Sequence, residues 1–184
     1  MAALEEFTKF GLECIQQKEA KFELRETAIG YFSEICKIMK SQMAPIFELV
    51  LTETLKSCEN EDGLTEQRAA KKSEGFSLDT DSDDEEEIVG MNVDYNFIDE
   101  KASAIHAIGN LGINCPALML PHLGTVMKSL DDLGMYFHEN IRYHVCLTLT
   151  QIAFGLLRLN TGKADSDEKN HWTPGLPVQQ PLPP

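Results

Sequence analysis

Asp99-Glu-Lys-Ala-Ser-Ala-Ile-His-Ala-Ile-Gly-Asn-Leu-Gly-Ile-Asn-Cys115, followed by Pro121-His-Leu-Gly-Thr-Val-Met-Lys-Ser-Leu-Asp-Asp-Leu133, is the stretch that decides the fold. In its first half Ala104, Ala107, Ile108, Leu111 and Cys115 recur at the spacing that lines one face of a helix, with Lys101, Ser103 and Asn110 off that face. Asp99 and Glu100 stand where such a helix would begin, and negative charge suits its positive end. Pro121 opens a second amphipathic run through Leu123, Val126, Met127 and Leu130, since proline is tolerated in a first helical turn. Gly134 ends it. Two helices of this kind cannot bury their apolar stripes alone and call for neighbours of the same pattern.

Those neighbours are in the chain. An offset of 76 positions places Lys101 on Arg25, Ala104 on Ala28, Ile105 on Ile29, Ile108 on Phe32, Leu111 on Ile35, Pro121 on Pro45 and Val126 on Val50. A further offset of 41 puts Arg142, Val145, Leu149 and Ile152 in the places of Lys101, Ala104, Ile108 and Leu111. A period of roughly 40 residues with two helices per unit marks HEAT or armadillo-type solenoids. The sequence therefore predicts an all-α solenoid of antiparallel helix pairs: helices over 3–17, 23–39 and 44–58, the central pair, and a last helix over 139–159. Divided accordingly, 1–58 and 95–159 are helical, 59–94 is an acidic disordered loop, and 160–184 is a proline-rich coil. Half a unit stands at each end without a polar cap, so the expectation is a segment of a longer solenoid, with the stripes Leu4 to Ile15 and Ile141 to Leu156 exposed and prone to self-association.

Composition bounds the function. The 184 residues carry 42% apolar and 25% charged side chains and a net charge of -14. No run approaches the ~20 apolar residues of a membrane span, and Met-Ala-Ala-Leu-Glu-Glu is not built like a signal peptide, so the expectation is a soluble intracellular protein with no membrane insertion. Cys14, Cys36, Cys58, Cys115 and Cys146 are scattered and odd in number, which suits reduced core thiols, and neither a disulfide framework nor a metal site is expected. No phosphate loop, Gly-x-Ser-x-Gly elbow or His-Glu-x-x-His occurs, and His106, His122, His138, His144 and His171 form no catalytic grouping. Glu23, Glu26 and Glu34 belong on a solvated face. The expectation is no enzyme and no cofactor.

Seven of the nine residues from Asp79 to Glu87 are acidic. Such a block repels itself and is expected to stay unfolded, drawing a strongly basic partner such as a histone tail, a ribosomal protein or a localisation segment. Nucleic acid would be repelled. Ser82, ahead of Asp83, Asp84 and Glu85, suits acid-directed kinases and is a candidate phosphosite. The tail ending Pro174-Gly-Leu-Pro-Val-Gln-Gln-Pro-Leu-Pro-Pro184 is expected to be extended coil.

Glu23-Leu-Arg-Glu-Thr-Ala-Ile-Gly-Tyr-Phe-Ser-Glu-Ile35 with Met43-Ala-Pro-Ile-Phe47 resembles a HEAT repeat of the importin-β (karyopherin-β) superfamily. The acidic run, then Tyr95-Asn-Phe-Ile-Asp-Glu-Lys-Ala-Ser-Ala-Ile-His-Ala-Ile-Gly-Asn-Leu111 and Leu120-Pro-His-Leu123, is similar to the central part of its importin-4 branch. The resemblance covers Ala3 to Leu159. It implies a nuclear transport receptor that shuttles between cytoplasm and nucleus, holds basic cargo and releases it to Ran-GTP, with Ran and nucleoporin contacts made by the full-length receptor. It also implies that second helices face cargo, so Glu48, Glu53, Asp131 and Asp132 are candidate cargo residues together with Asp81, Asp83, Asp84, Glu85, Glu86 and Glu87. The other readings open to the residues are a HEAT scaffold such as a phosphatase regulatory subunit or assembly platform, and an acidic histone chaperone.

Overall fold

The computed structural model describes residues 2–17, 21–61, 63–68 and 88–162. Helix α1 is Ala2–Gln16, α2 is Phe22–Met39 and α3 is Ala44–Glu59, followed by strands β1, Leu64–Arg68, and β2, Ile88–Val93. Helix α4 is Tyr95–Asn114, α5 the single turn Pro116–Met119, α6 is Leu123–Gly134 and α7 is Glu139–Asn160. The fold is all-α apart from the one two-stranded ladder, and its helices stack in two layers. Helices α2, α4 and α7 form one layer, with α4 in the middle, and α1, α3 and α6 form the other. Each outer-layer helix packs on the first helix of the next unit: α1 on α2, α3 on α4, α6 on α7.

The repeat register is visible in burial. Residues related by the 76-position offset are closed off from water in both copies: Ala28 and Ala104, Ile29 and Ile105, Phe32 and Ile108, Met43 and Met119, Val50 and Val126. A 3-10 turn, Lys40–Met43, joins α2 to α3 without a loop, and Lys40 takes a φ of 47°, a left-handed conformation that side chains rarely adopt. In the second copy the equivalent positions form the α-helical turn α5 and the 3-10 turn comes after it, at Leu120–His122, so α6 begins at Leu123 and not at Pro121. Proline, having no N–H, fits the turn ahead of the helix as well as its first turn.

Helix α4 also starts four residues before the expected Asp99. Asp94 is its cap, its Oδ1 accepting from the Asn96 N–H at 2.9 Å. Glu100 is thereby carried into the body of the helix, where it is buried. Lys101 and Asn110, expected off the apolar face, are buried as well, because α4 has neighbours on almost every side. A buried amide needs partners, and Asn110 has them in both flanking helices: its Nδ2 donates to Ser33 Oγ of α2 at 2.7 Å, and its Oδ1 accepts from Gln151 Nε2 of α7 at 3.2 Å. Thr148 Oγ1 adds a bond to the Ile105 carbonyl at 2.7 Å. Glycine permits this closeness, since a Cβ on Gly155 would lie 2.2 Å from the Gly112 carbonyl oxygen.

Two other expectations change. The segment 59–94 is not wholly irregular: β1 and β2 pair antiparallel from Leu64 opposite Val93 to Arg68 opposite Ile88, with a register shift between Gln67 and Arg68. Asp94 N–H donates to the Gly63 carbonyl at 3.0 Å and closes the base of this stem. The end stripes are only partly open: Gly11, Cys14 and Ile15 are buried on one side and Ile141, Val145 and Ile152 on the other, while Phe7 of the first stripe stays exposed, as do the end-helix residues Phe10, Tyr143, Phe154 and Leu157. All five cysteines are free, with Cys146 exposed and the other four buried.

Gly155→Ala should lower stability by about 1–3 kcal/mol, because the added carbon meets backbone that cannot move aside. Gly30→Ala, in α2 with nothing within 4 Å of the new carbon, should raise it by about 0.5–1 kcal/mol. Urea unfolding of the two variants reads both signs, and equal effects would count against the close α4–α7 approach.

His106 of α4 and His144 of α7 meet edge to face with ring centroids 6.0 Å apart. Burial lowers the pKa of each from the usual 6.5, helped at His106 by Lys37 and at His144 by His106 itself. The unfolded chain therefore takes up protons before the native one does. The contribution is fully present above about pH 6.5 and is lost as pH falls through the native values. Stability followed by chemical denaturation from pH 7.5 to 5 should decline, and the slope should flatten in His106→Gln/His144→Gln.

Candidate functional site

The outer layer ends in carboxylates. Glu59 is the last residue of α3 and Glu61 follows just beyond it, while Asp131 and Asp132 occupy the last turn of α6. Stacking of α3 beside α6 brings Glu59, Glu61 and Asp132 around one cavity of about 230 Å³, whose walls include Cys58, Lys101, Ser129, Leu133 and Tyr136. A larger, more open depression of about 530 Å³ separates the carboxyl ends of α1 and α3 and is lined by Arg25, Glu53, Lys56 and Glu59 among others.

Of the residues singled out in the sequence, Glu48, Asp131 and Asp132 are exposed on this layer. Glu53 is half-buried and held by Lys56 at 2.8 Å, so it is already neutralised. Only Asp132 lines the smaller cavity, and neither Glu48 nor Asp131 lines either depression. The acidic positions Asp81, Asp83, Asp84, Glu85, Glu86 and Glu87, the candidate phosphosite Ser82 and the tail after Gly162 lie outside the described residues. The stem that carries the acidic run starts beside the cavity, since Leu64 N–H bonds to the Glu61 carbonyl at 3.0 Å. Sequence reasoning passed over Glu59 and Glu61. The available signal was electrostatic: a carboxylate at a helix carboxyl end opposes the dipole.

One cationic side chain lines the inner wall and a second stands beside it. Lys101 Nζ donates to the carbonyls of Cys58 and, at 2.8 Å, Asn60, capping the end of α3, and lies 5.1 Å from the ring centres of both Phe97 and Tyr136. Burial lowers its pKa, against the pull of Cys58, Glu61, Glu100 and Glu59. Beside it Arg25 Nη2 forms an ion pair with Glu100 Oε1 at 3.2 Å and donates to Ser57 Oγ at 2.9 Å. Desolvation raises the Glu100 carboxyl pKa, with Ser57, Arg25 and Lys101 pulling it back down. Cys58 is pushed up to about 12 by burial and remains a thiol. Tyr136 is raised by burial and by Glu61. These groups hold the site in shape. Among the described residues no grouping of His, Cys, Asp and Glu can hold a metal ion, and no helix is long and apolar enough to cross a membrane.

No family model matches the chain. It is similar to a protein of Schizosaccharomyces pombe described as "Probable importin subunit beta-4", with 24% identity over 188 aligned residues that take in 97% of this chain and 17% of the relative. The chain thus spans about a sixth of that relative's length, and the similarity runs through every unit of the stack rather than through one helix pair.

Lys101→Met should cost about 1–3 kcal/mol in urea unfolding, because it leaves the Cys58 and Asn60 carbonyls without their donor. An unchanged midpoint would show that the α3 end does not depend on this cap.

Proposed function

We propose that this chain is a segment of a nuclear transport receptor and that its outer helix layer, with the acidic run Asp79 to Glu87, holds basic cargo. The observation that carries the reading is the gathering of exposed carboxylates at the ends of the outer helices, in a chain of net charge -14 that aligns over 97% of its length with a protein named as an importin subunit. Recognition is reversible and electrostatic, with no catalytic step. The carboxylates attract lysine- and arginine-rich segments such as histone tails, ribosomal proteins and localisation signals. Phosphorylation of Ser82 would add to the attraction. Release by Ran-GTP, contacts with nucleoporins and shuttling between cytoplasm and nucleus are proposed for the longer protein.

The test is a titration of the chain with a fluorescent histone-tail peptide and a lysine-rich localisation peptide, between roughly 50 and 500 mM salt, where screening tightens. Binding is expected at low salt and should weaken by about tenfold or more at high salt. It should also fall when Asp81, Asp83, Asp84, Glu85, Glu86 and Glu87 are replaced by their amides. Binding that ignores salt, or no binding of either peptide, would count against basic cargo for this segment.

A further inference from the structure

We propose that the cavity between the carboxyl ends of α3 and α6 receives the guanidinium of one arginine side chain of a basic partner. The proposal rests on the basic-cargo reading and gives it a defined subsite. Three features converge on it. Glu59 and Asp132 sit at the negative ends of their helices and Glu61 just past one of them, where a carboxylate is electrostatically disfavoured unless a cation joins it. Arg25–Glu100, Lys37–Glu34 and Lys56–Glu53 are ion pairs among the described residues, and none of the three carboxylates is a member of these pairs. Lys101, the cation among the described lining residues, spends two of its three donors on the Cys58 and Asn60 carbonyls, and its single charge leaves the mouth negative against three carboxylates.

The second feature is independent of charge. Ser129, only 6% exposed, has its Oγ buried without a hydrogen-bond partner, and the half-buried Tyr136 has its Oη in the same condition, and both residues line the cavity. Buried polar atoms in native proteins are normally paired, so two unpaired hydroxyls on residues of one cavity lining leave acceptors for an outside group. Both can accept a hydrogen bond. The third feature is the spread of the acceptors. The carboxylates do not converge as metal ligands do, and a planar fork of five donors can serve separated hydroxyls and carboxylates at once where an ammonium cannot.

The test uses the full chain and two fluorescent peptides identical but for arginine or lysine at their basic positions, read by anisotropy at low salt. The arginine peptide is expected to bind several-fold more tightly than the lysine peptide. Glu59→Gln/Glu61→Gln/Asp132→Asn should weaken it by about tenfold or more, and the charge-neutral Ser129→Ala/Tyr136→Phe by about fivefold, as expected for loss of hydrogen bonds to a charged group. Glu48→Gln/Asp131→Asn, on the same layer but outside the cavity, should change it less than about twofold. Circular dichroism confirms that each variant is folded, and the carboxylate variant alters only exposed groups.

If the wild-type chain binds both peptides equally, or if the cavity variants bind within twofold of it, the arginine subsite is wrong while the basic-cargo reading stands. If the wild-type chain binds neither peptide, both fall.

Discussion

From Glu100 to Gly112 helix α4 is mostly enclosed, and the polar groups buried there depend on partners inside the protein. That constraint reaches into every neighbour. Glu100 requires Arg25 from α2, Lys101 requires the carboxyl end of α3, and Asn110 requires Ser33 on one side and Gln151 on the other. A buried charge without its partner costs several kcal/mol, so these contacts fix the register of α2, α3 and α7 on α4 more strictly than apolar packing alone would. The same enclosure takes most of α4 out of contact with a partner, while α2 and α7 keep exposed side chains on their free faces.

The fold was largely legible because the repeat shows itself in kind as well as in spacing. A shared 3.6-residue period would suit any helical bundle, but Pro45 with Pro121, and Arg25 with Lys101 and Arg142, do not recur without a repeated unit. The same period misplaced Lys101 and Asn110. Sorting residues by polarity assigns a lysine to water, and only the neighbouring helix reveals that two carbonyls await it. The stem was hidden for a different reason. Leu64-Thr-Glu-Gln-Arg and Ile88-Val-Gly-Met-Asn-Val lack a shared alternation of apolar residues and flank a run of charge, so nothing local announces that they pair.

The candidate site was less legible than the fold. Glu48, Asp131 and Asp132 were found by helix position, yet their importance differs because a cavity exists only where two outer helices end side by side. Glu59 and Asp132 are more than 70 positions apart in the chain, and no spacing rule connects them. They meet because α3 stacks on α6 one repeat later. Repeat proteins build surfaces this way, each unit adding a small part of a larger one.

The helix ends tie the scaffold to its surface. In each of the two later units the recurring basic residue bonds to backbone carbonyls at or just past the carboxyl end of the preceding outer helix: Lys101 at the end of α3, and Arg142 at the Tyr136 and Phe137 carbonyls beyond α6, at 2.6 and 2.9 Å. The scaffold's own cations are thus turned toward carbonyls. The acids at those same ends, Glu59 and Glu61 in one unit and Asp132 in the next, are exposed and share only the charge of Lys101 among the described residues of their cavity. A stack that repeats this division presents a row of negative helix ends along one edge. Its affinity would then be set by how many basic side chains a partner can place at the repeat spacing, each contributing little alone, and flexibility between units would let different basic chains fit the same row.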